Sequence, residues 1–450
     1  MEELFEHAPI PRAYFKLALP VVLAMVASMI YNLADTFFVS QTQNTNLVAG
    51  VALCTPLFSL LIAIGDIFGL GGSSLISRLL GEKAYTTGRR VSSFCLHGAV
   101  VIGLITTVVL LVFMRPFLYL LGATSATYPY ARDFYRIMAL GAMPIIVSIV
   151  PGNLIRTEGF AAQSMAGTLV GTVITIILDP ILIFPAGLGA AGAALATVIG
   201  YTISAITLVY LTKRYCQVIS IDARLSKISW AWILQVLAIG IPGSITNLMQ
   251  AFGTTVLNRY LIAFGPTKVA AMGIVLKVYM IIMLVMVGFA FGAQPLIGYT
   301  YGAKNMARFK KILHFDLLVE VGYALILAVI LMILAPQIIG LFLHSQAVIT
   351  AGTYMLRVFL VTTPFVGAVL VYTTVFQSTG KAIGAFIMSI ARQGVVFYLA
   401  IVLGARLIGY HGIIWAQPIA DVLTCAIGWG LARGLLNSRK STEASLRNEN

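Results

Sequence analysis

Charged residues are scarce in this 450-residue chain: Asp, Glu, Lys and Arg together make up 10% of it, whereas hydrophobic residues make up 60%. Its mean hydropathy of +0.97 lies far above the range of water-soluble domains. A soluble globular protein is therefore excluded, and an integral membrane protein is predicted. The short alternating segments of a transmembrane β-barrel are also missing, which leaves the all-α class.

Motifs of enzymes and metal sites are absent as well. The chain has no HExxH, no GxSxG and no paired Asp-rich motif, and its five histidines show no ligand spacing. The four cysteines are scattered without a CxxC or His/Cys pattern, so we expect them to be buried and inert. We therefore expect neither an enzyme nor a bound cofactor.

Long apolar runs account for most of the chain. A membrane-spanning helix needs about 20 mostly apolar residues. Windows of that length identify twelve candidate spans, which begin near residues 14, 47, 90, 132, 160, 190, 231, 269, 312, 353, 382 and 411. The sequence therefore predicts an all-α integral membrane protein with twelve transmembrane helices.

The net charge of the chain is +14, and its Lys and Arg residues are distributed as this predicted topology requires. An even number of spans puts both termini on one side of the membrane. Twenty of the 29 Lys and Arg residues then fall on that side, against seven at the opposite ends. By the positive-inside rule we expect both termini to be cytoplasmic, and the excess charge needs no nucleic-acid partner to explain it.

An internal repeat divides the chain into two lobes. A shift of 221 residues aligns FGLGGSSLISRLLGEK (68–83) with FAFGAQPLIGYTYGAK (289–304), and Gly159 with Gly380. The polar segment 213–230 follows six spans and is interpreted as the connection between two six-helix lobes. Because each lobe has an even number of spans, the repeat predicts pseudo-two-fold symmetry about the membrane normal.

The predicted domains are an N-terminal lobe (1–212), a cytoplasmic linker (213–230), a C-terminal lobe (231–436) and a cytoplasmic tail (437–450). Duplicated lobes with a cavity between them are typical of secondary transporters that alternate access. A duplicated scaffold or channel is the alternative.

Two carboxylates interrupt the apolar runs of the first lobe. Asp35 lies in MIYNLADTFFVSQ (29–41) and Asp179 lies in IILDPILIF (176–184), while the repeat puts no acid at either equivalent position. A charge near the centre of a membrane helix costs about 2.5–3.5 kcal/mol. We therefore expect these acids to have a function, the alternative being that they only bridge helices through hydrogen bonds.

Predicted depths bring three further polar side chains to the level of these acids. At 1.5 Å per residue, Asp35 lies about 9 Å below the outer end of span 1, and Thr197 lies about 10 Å into span 6. Tyr31 and Thr175 lie one helical turn from Asp35 and Asp179, respectively. We therefore expect all five side chains to form one polar pocket in the outer half of the first lobe.

Either of two coupling ions suits such a pocket. Neighbouring carboxylates in low dielectric can take up and release protons near neutral pH. The oxygens of Asp35, Asp179, Thr175 and Thr197 could also coordinate Na⁺. The residues alone leave H⁺ and Na⁺ open.

The remaining charges within the predicted spans are less informative. Asp316 and Glu320 lie one turn apart just inside span 9, and we expect them to be anchored at the membrane interface beside Lys310 and Lys311. For Asp66, a structural hydrogen bond, a gating role and a functional role all stay open. Lys277, Arg392 and Asp421 could line a cavity of the C-terminal lobe or pair with one another, and the sequence does not choose between these alternatives.

Several motifs, in order, resemble those of the multidrug and toxic compound extrusion (MATE) transporters. They are LALPVVLAMVASMIYNLADTFFVSQ, LVAGVALCTP, GGSSLISRLLGEK with its later copy, GNLIRTEGF and TIILDPILI. The resemblance extends over nearly the whole chain. Within the family, the chain is most similar to the DNA-damage-inducible branch and to related small bacterial multidrug exporters.

This resemblance implies a secondary active multidrug exporter of a bacterial inner membrane. Such a protein exchanges organic, often cationic and amphipathic drugs for H⁺ or Na⁺ by alternating access, and we expect it to be a monomer. Asp35, Tyr31, Asp179 and Thr197 match the cation-coupling positions of the branch. Asn153 matches an Asn on span 4, and with the two acids it is expected to contact substrate.

Two departures limit what the resemblance implies. Thr175 stands where members of the branch carry Asn, so the identity of the ion is not transferred. A second branch uses an acid in span 7, but GIPGSITNLMQAFGTTVLNRY (240–260) contains none. The cation site of that branch in the C-terminal lobe is therefore not expected here.

A flippase of lipid-linked precursors, from the same wider superfamily, is the alternative function. Such proteins favour a basic central cavity, whereas most Lys and Arg residues of this chain lie at predicted cytoplasmic helix ends. A major facilitator transporter fits less well, because GEKAYTTGRR (81–90) has Tyr85 where the similar loop motif of those proteins has Asp.

Overall fold

The computed structural model describes residues 2–342 and 345–448, with side chains up to residue 435. All regular secondary structure in these residues is helical, as predicted. Of the predicted tail (437–450), the last two residues lie outside the described part of the chain.

The α-helices of the first half are α1 (Ile10–Ser40), α2 (Thr45–Leu53), α3 (Thr55–Gly81), α4 (Tyr85–Val112), α5 (Met114–Leu120), α6 (Tyr128–Leu140), α7 (Ala142–Leu154), α8 (Ala161–Ile183) and α9 (Ala190–Tyr215). Those of the second half are α10 (Trp230–Leu261), α11 (Pro266–Gly302), α12 (Met306–Phe342), α13 (Gln346–Val361), α14 (Thr363–Ser378), α15 (Ala382–Ile390), α16 (Val396–Leu407) and α17 (Tyr410–Asn448).

Within the described residues, ten helical segments are long and apolar enough to cross a membrane, and two bent helix pairs raise the number to twelve. The bends measure 51° between α6 and α7 and 46° between α13 and α14. They fall at Gly141 and Thr362, which are equivalent under the 221-residue shift. The predicted twelve-helix membrane fold is thus confirmed, with one broken span in each half.

The backbone repeats rare conformations at equivalent positions. Lys83 and Lys304, the last residues of the repeated motif, both adopt left-handed φ values, of 59° and 57°. Gly159 and Gly380 do the same, at 92° and 72°. Left-handed φ is costly for residues other than glycine. Its recurrence at Lys83 and Lys304 therefore reflects the same turn in both halves.

The chain forms two compact units. Unit 1 comprises Met1–Ser244, Phe291–Phe309 and Ser378–Gly380, and unit 2 comprises the remainder. The predicted linker belongs to unit 1, where Glu158 anchors it. Its carboxylate accepts hydrogen bonds from the backbone N–H groups of residues 217, 218 and 219 at 2.7–2.9 Å. The linker is therefore a packed segment with satisfied backbone donors.

Two glycines bring backbones into direct contact within unit 1. A Cβ added at Gly81 would lie 2.1 Å from the carbonyl oxygen of Tyr299, and one added at Gly302 would lie 2.1 Å from that of Arg78. Gly81 and Gly302 are equivalent in the repeat, and so are Arg78 and Tyr299. The end of α3 and the end of α11 therefore meet in a reciprocal crossing that only glycine permits at these positions.

Unit 2 contains an apolar core built mainly by α11, α12, α13 and α17. Asp316 and Glu320 on α12 are completely buried. The prediction that they are anchored at the interface is therefore wrong. Gly367 allows the close approach that covers Glu320, since a Cβ there would lie 3.1 Å from the Glu320 carbonyl. Among the cysteines, all of them free, Cys54 and Cys95 are buried as expected, whereas Cys216 and Cys425 are half-buried.

Candidate functional site

The five residues of the predicted pocket lie on three helices of unit 1, which are α1, α8 and α9. The helix α8 packs against both α9 and α1. Gly171, Thr175 and Asp179 follow one another at four-residue spacing and so share one face of α8. A Cβ on Gly171 would lie 2.5 Å from the Gly200 carbonyl oxygen, so these two glycines let α8 and α9 approach closely.

A hydrogen bond links α1 to α9 beside the acids. The Tyr31 hydroxyl lies 2.9 Å from Thr197 Oγ1. Both side chains are buried. Tyr31 also interacts electrostatically with Asp35 and Asp179. Tyr31 therefore interacts with three of the other four predicted pocket residues, namely Thr197, Asp35 and Asp179.

Both carboxylates have buried oxygens that accept no hydrogen bond from the described residues. Asp179 has no exposed surface, and neither of its oxygens accepts a hydrogen bond from the described residues. Oδ1 of Asp35 is likewise buried without a donor. The two acids are close enough to interact electrostatically. An unpaired buried carboxylate is costly, so this arrangement favours the uptake of a proton or of a cation.

Thr175 completes the set from α8. Its hydroxyl donates a hydrogen bond to the Gly171 carbonyl at 3.0 Å, which leaves the oxygen lone pairs available to a cation. Gly200 makes room for this hydroxyl, since a Cβ there would lie 1.9 Å from Thr175 Oγ1. Tyr31 and Thr175 border a cavity of about 40 Å³. That volume is sufficient for a water molecule or an ion.

Sequence reasoning missed five polar residues that line this cavity: Ser28, Thr168, Thr172, Tyr201 and Ser204. The signal was helical spacing. Ser28 lies three residues before Tyr31, and Thr168 lies seven before Thr175. Extending the i, i+3, i+4 and i+7 pattern toward the N-terminal end of α1 and α8 would have found Ser28, Thr168 and Thr172, and extending it from Thr197 toward the C-terminal end of α9 would have found Tyr201 and Ser204.

Asn153 on α7 has other partners. Its amide donates a hydrogen bond to the Ile149 carbonyl at 3.0 Å, and its oxygen accepts one from Arg156. The described hydrogen bonds do not join it to the other predicted site residues. Its role in binding substrate stays a prediction.

The donor set suits a proton or a hard cation. No three His, Cys, Asp or Glu side chains of the described residues converge as ligands for a metal ion. Carboxylate and hydroxyl oxygens are instead the ligands of alkali and alkaline-earth cations.

Twelve apolar helices in two repeated halves, with a buried polar site in the first half, define a polytopic membrane transporter. The MatE family model matches residues 20–181 and again residues 242–402, once in each half. The chain belongs to this family of multidrug and toxic compound extrusion transporters.

Among its relatives is the multidrug export protein MepA of Staphylococcus aureus (strain MRSA252), which is 30% identical over 442 residues. The alignment covers 98% of this chain and 97% of the relative. MepA of Staphylococcus haemolyticus (strain JCSC1435) is 31% identical over 445 residues, with the same coverage. These relatives point to a transporter rather than an enzyme.

Solved structures share the fold. A crystal structure of MATE in complex with MaL6 superposes with a TM-score of 0.92 at 23% identity, covering 98% of this chain and 99% of the other. A multidrug resistance MATE family transporter of the MOP superfamily, solved in an outward-facing conformation, gives 0.89 at 25% identity, with coverage of 97% and 98%.

Proposed function

We propose that this protein is a secondary active multidrug exporter that exchanges organic, often cationic and amphipathic drugs for H⁺ or Na⁺ by alternating access. Asp35, Asp179, Tyr31, Thr175 and Thr197 bind the coupling ion. If the ion is Na⁺, its ligands come from the two carboxylates and the two threonine hydroxyls. Asp35 and Asp179, together with Asn153, contact the drug.

One observation carries this proposal: two neighbouring acids in unit 1 present buried carboxylate oxygens that have no hydrogen-bond donor among the described residues. Such a pair lowers its free energy by taking up a cation. If ion and drug compete for the same carboxylates, each lowers the affinity of the other, which is the linkage that antiport needs.

The staphylococcal relatives are multidrug export proteins, which favours drug export over the flippase alternative. We propose further that the protein acts as a monomer in a bacterial inner membrane. Both termini then face the cytoplasm, in accordance with the distribution of Lys and Arg.

The test is ethidium transport by the purified protein in proteoliposomes, with a pH gradient and a Na⁺ gradient imposed separately. We expect one of the two gradients to drive uphill transport, and Asp35→Asn or Asp179→Asn to abolish it. Asp133→Asn is the matched control, since Asp133 is a half-exposed acid on α6 that forms a surface ion pair with its neighbour Arg132. Uphill transport by Asp35→Asn at the wild-type level would refute the mechanism.

A further inference from the structure

Unit 2 contains a polar cavity that the proposed coupling site does not use. It has a volume of about 170 Å³ and lies among α10, α11, α16 and α17. Its polar lining consists of Gln250, Thr254, Tyr279, Arg392, Gln393 and Gln417, and methionine and phenylalanine side chains complete the wall. A few convergent polar groups in a mostly apolar wall are typical of small-molecule sites.

A buried ion pair forms one side of this cavity. Arg392 Nε donates to Asp421 Oδ1 at 2.9 Å, and the two side chains are 12% and 1% exposed, respectively. Asp421 also accepts hydrogen bonds from Gln417 at 2.9 Å and from Thr362 at 3.1 Å. Its two oxygens are therefore fully engaged, and the carboxylate acts as a fixed counter-ion rather than as a ligand site.

The guanidinium of Arg392 has donors to spare. It carries five N–H groups. Its described hydrogen bonds use Nε, toward Asp421, and Nη2, toward the Tyr279 hydroxyl at 3.1 Å. Donors therefore remain on Nη1 of a side chain that lines the cavity. A planar guanidinium held in a fixed orientation is well suited to bind a carboxylate through two hydrogen bonds.

The local backbone places Arg392 and Gln393 on the cavity wall. Residues Ala391–Val395 form a π-helical turn between α15 and α16. Such turns are rare and occur frequently at functional sites. Gly253 on α10 leaves room for the Gln393 amide, since a Cβ there would lie 2.3 Å from Gln393 Oε1.

The repeat shows that only the second half carries charged residues at the positions of Arg392 and Asp421. The 221-residue shift maps Arg392 onto Gly171 and Asp421 onto Gly200, the two glycines that let α8 and α9 approach closely. The first half therefore has two glycines where the second half has an ion pair. Arg392, which is permanently charged, therefore occupies the position of Gly171. In unit 1, Gly171 lines the cavity at the proposed site for a proton or Na⁺.

We propose that this cavity is a subsite for the carboxylate group of anionic or zwitterionic organic substrates, which Arg392 and the neighbouring amides bind. The volume admits a carboxylate and the ring or chain next to it, with the rest of the molecule outside. The physiological meaning of this inference rests on the proposed export function. The binding itself does not, because it requires neither a gradient nor transport.

The test compares two fluorescent ligands that differ only in the carboxylate: zwitterionic ciprofloxacin and its methyl ester, a cation. Equilibrium binding to purified protein is measured for the wild type and for Arg392→Gln/Asp421→Asn, which removes both charges and so leaves neither buried alone. We expect ciprofloxacin to lose about tenfold in affinity, or about 1.4 kcal/mol, in this variant. The ester should change less than about twofold.

A second variant tests the proposal independently in case the double variant does not fold. Gln393→Leu leaves the ion pair in place and should weaken ciprofloxacin alone, by about threefold. Arg406→Gln, on the exposed face of α16, is the matched control and should change neither ligand. Equal losses for both ligands, or unchanged ciprofloxacin binding in Gln393→Leu and in the double variant, would overturn the proposal. A failure of gradient-driven ethidium transport would leave it standing.

Discussion

The hydroxyl of Tyr31 on α1 and Oγ1 of Thr197 on α9 lie 2.9 Å apart, and both groups are buried. This hydrogen bond connects two helices directly beside Asp35 and Asp179, which are the proposed ion-binding acids. Any rearrangement of α1 relative to α9 on ion binding must therefore lengthen or break it.

A double-mutant cycle measures the contribution of this hydrogen bond. Tyr31→Phe and Thr197→Val each leave one buried hydroxyl without its partner, so each should lower the free energy of unfolding by about 1–3 kcal/mol. The double variant should lose less than the sum of the two, with a coupling energy of about 1 kcal/mol in chemical unfolding of the detergent-solubilised protein. Tyr119→Phe, at an exposed tyrosine, is the control. Strictly additive losses would show that the two hydroxyls do not interact.

Composition and spacing were sufficient to predict the spans, the repeat and which residues lie near Asp35 and Asp179 along their helices. Apolar runs and the 221-residue shift depend only on the order of the residues, and one-turn spacing placed Tyr31 beside Asp35 and Thr175 beside Asp179. These are local properties of a helix, so the sequence contains them directly.

Pairings between distant helices could not be predicted in this way. The sequence did not decide the roles of Arg392 and Asp421, because these residues lie 29 positions apart on different helical segments. Arg392 is placed by a π-helical turn that no sequence pattern indicated. The sequence also misplaced Asp316 and Glu320, because their burial depends on helices that pack against α12 from elsewhere in the chain. Periodicity identifies a polar residue on a helix, but not the surface that covers it.

The reciprocal glycine crossing gives a second prediction. In Gly81→Ala and Gly302→Ala a methyl group would meet a carbonyl oxygen at about 2 Å, so the ends of α3 and α11 must separate. We expect each variant to lower the melting temperature, and to increase labelling of a cysteine introduced at Ser77, which is buried at this crossing.

Gly273→Ala is the matched control, because no atom lies within 4 Å of a Cβ at that position. It should leave both the melting temperature and the labelling unchanged. If Gly81→Ala and Gly302→Ala also leave them unchanged, the two backbones are not in contact in the protein in solution.

The anchoring of the segment 213–230 by Glu158 can be tested by hydrogen exchange. Glu158→Gln retains one acceptor oxygen and introduces an NH₂ group that faces the backbone donors of residues 217–219. We expect the amides of these residues to exchange at least about tenfold faster, which corresponds to about 1.4 kcal/mol of local stability. Glu82→Gln, at an exposed glutamate, should leave their exchange unchanged. Equal rates in wild type and Glu158→Gln would exclude the anchoring role.

The N-terminal segment should respond to pH through Glu2. The Tyr85 hydroxyl donates a hydrogen bond to this carboxylate at 2.7 Å, and Lys83 Nζ lies 4.0 Å away. The hydrogen bond from Tyr85, and then the charge of Lys83, lower the pKa of Glu2 below its ordinary value. Because the pKa is lowered in the folded state, this contact stabilises the attachment of the segment above the ordinary pKa. The stabilisation is lost as the pH falls through the lowered value.

Tyr85→Phe removes the larger of the two causes, so the pKa of Glu2 should rise toward that of a free glutamate. Isotope-edited NMR of the Glu2 carboxyl group in detergent measures this titration directly. A titration of Glu2 that is unchanged in Tyr85→Phe would mean that the segment is not held against α4. The contact between Glu2 and Tyr85 would then contribute nothing to the attachment of the segment at neutral pH.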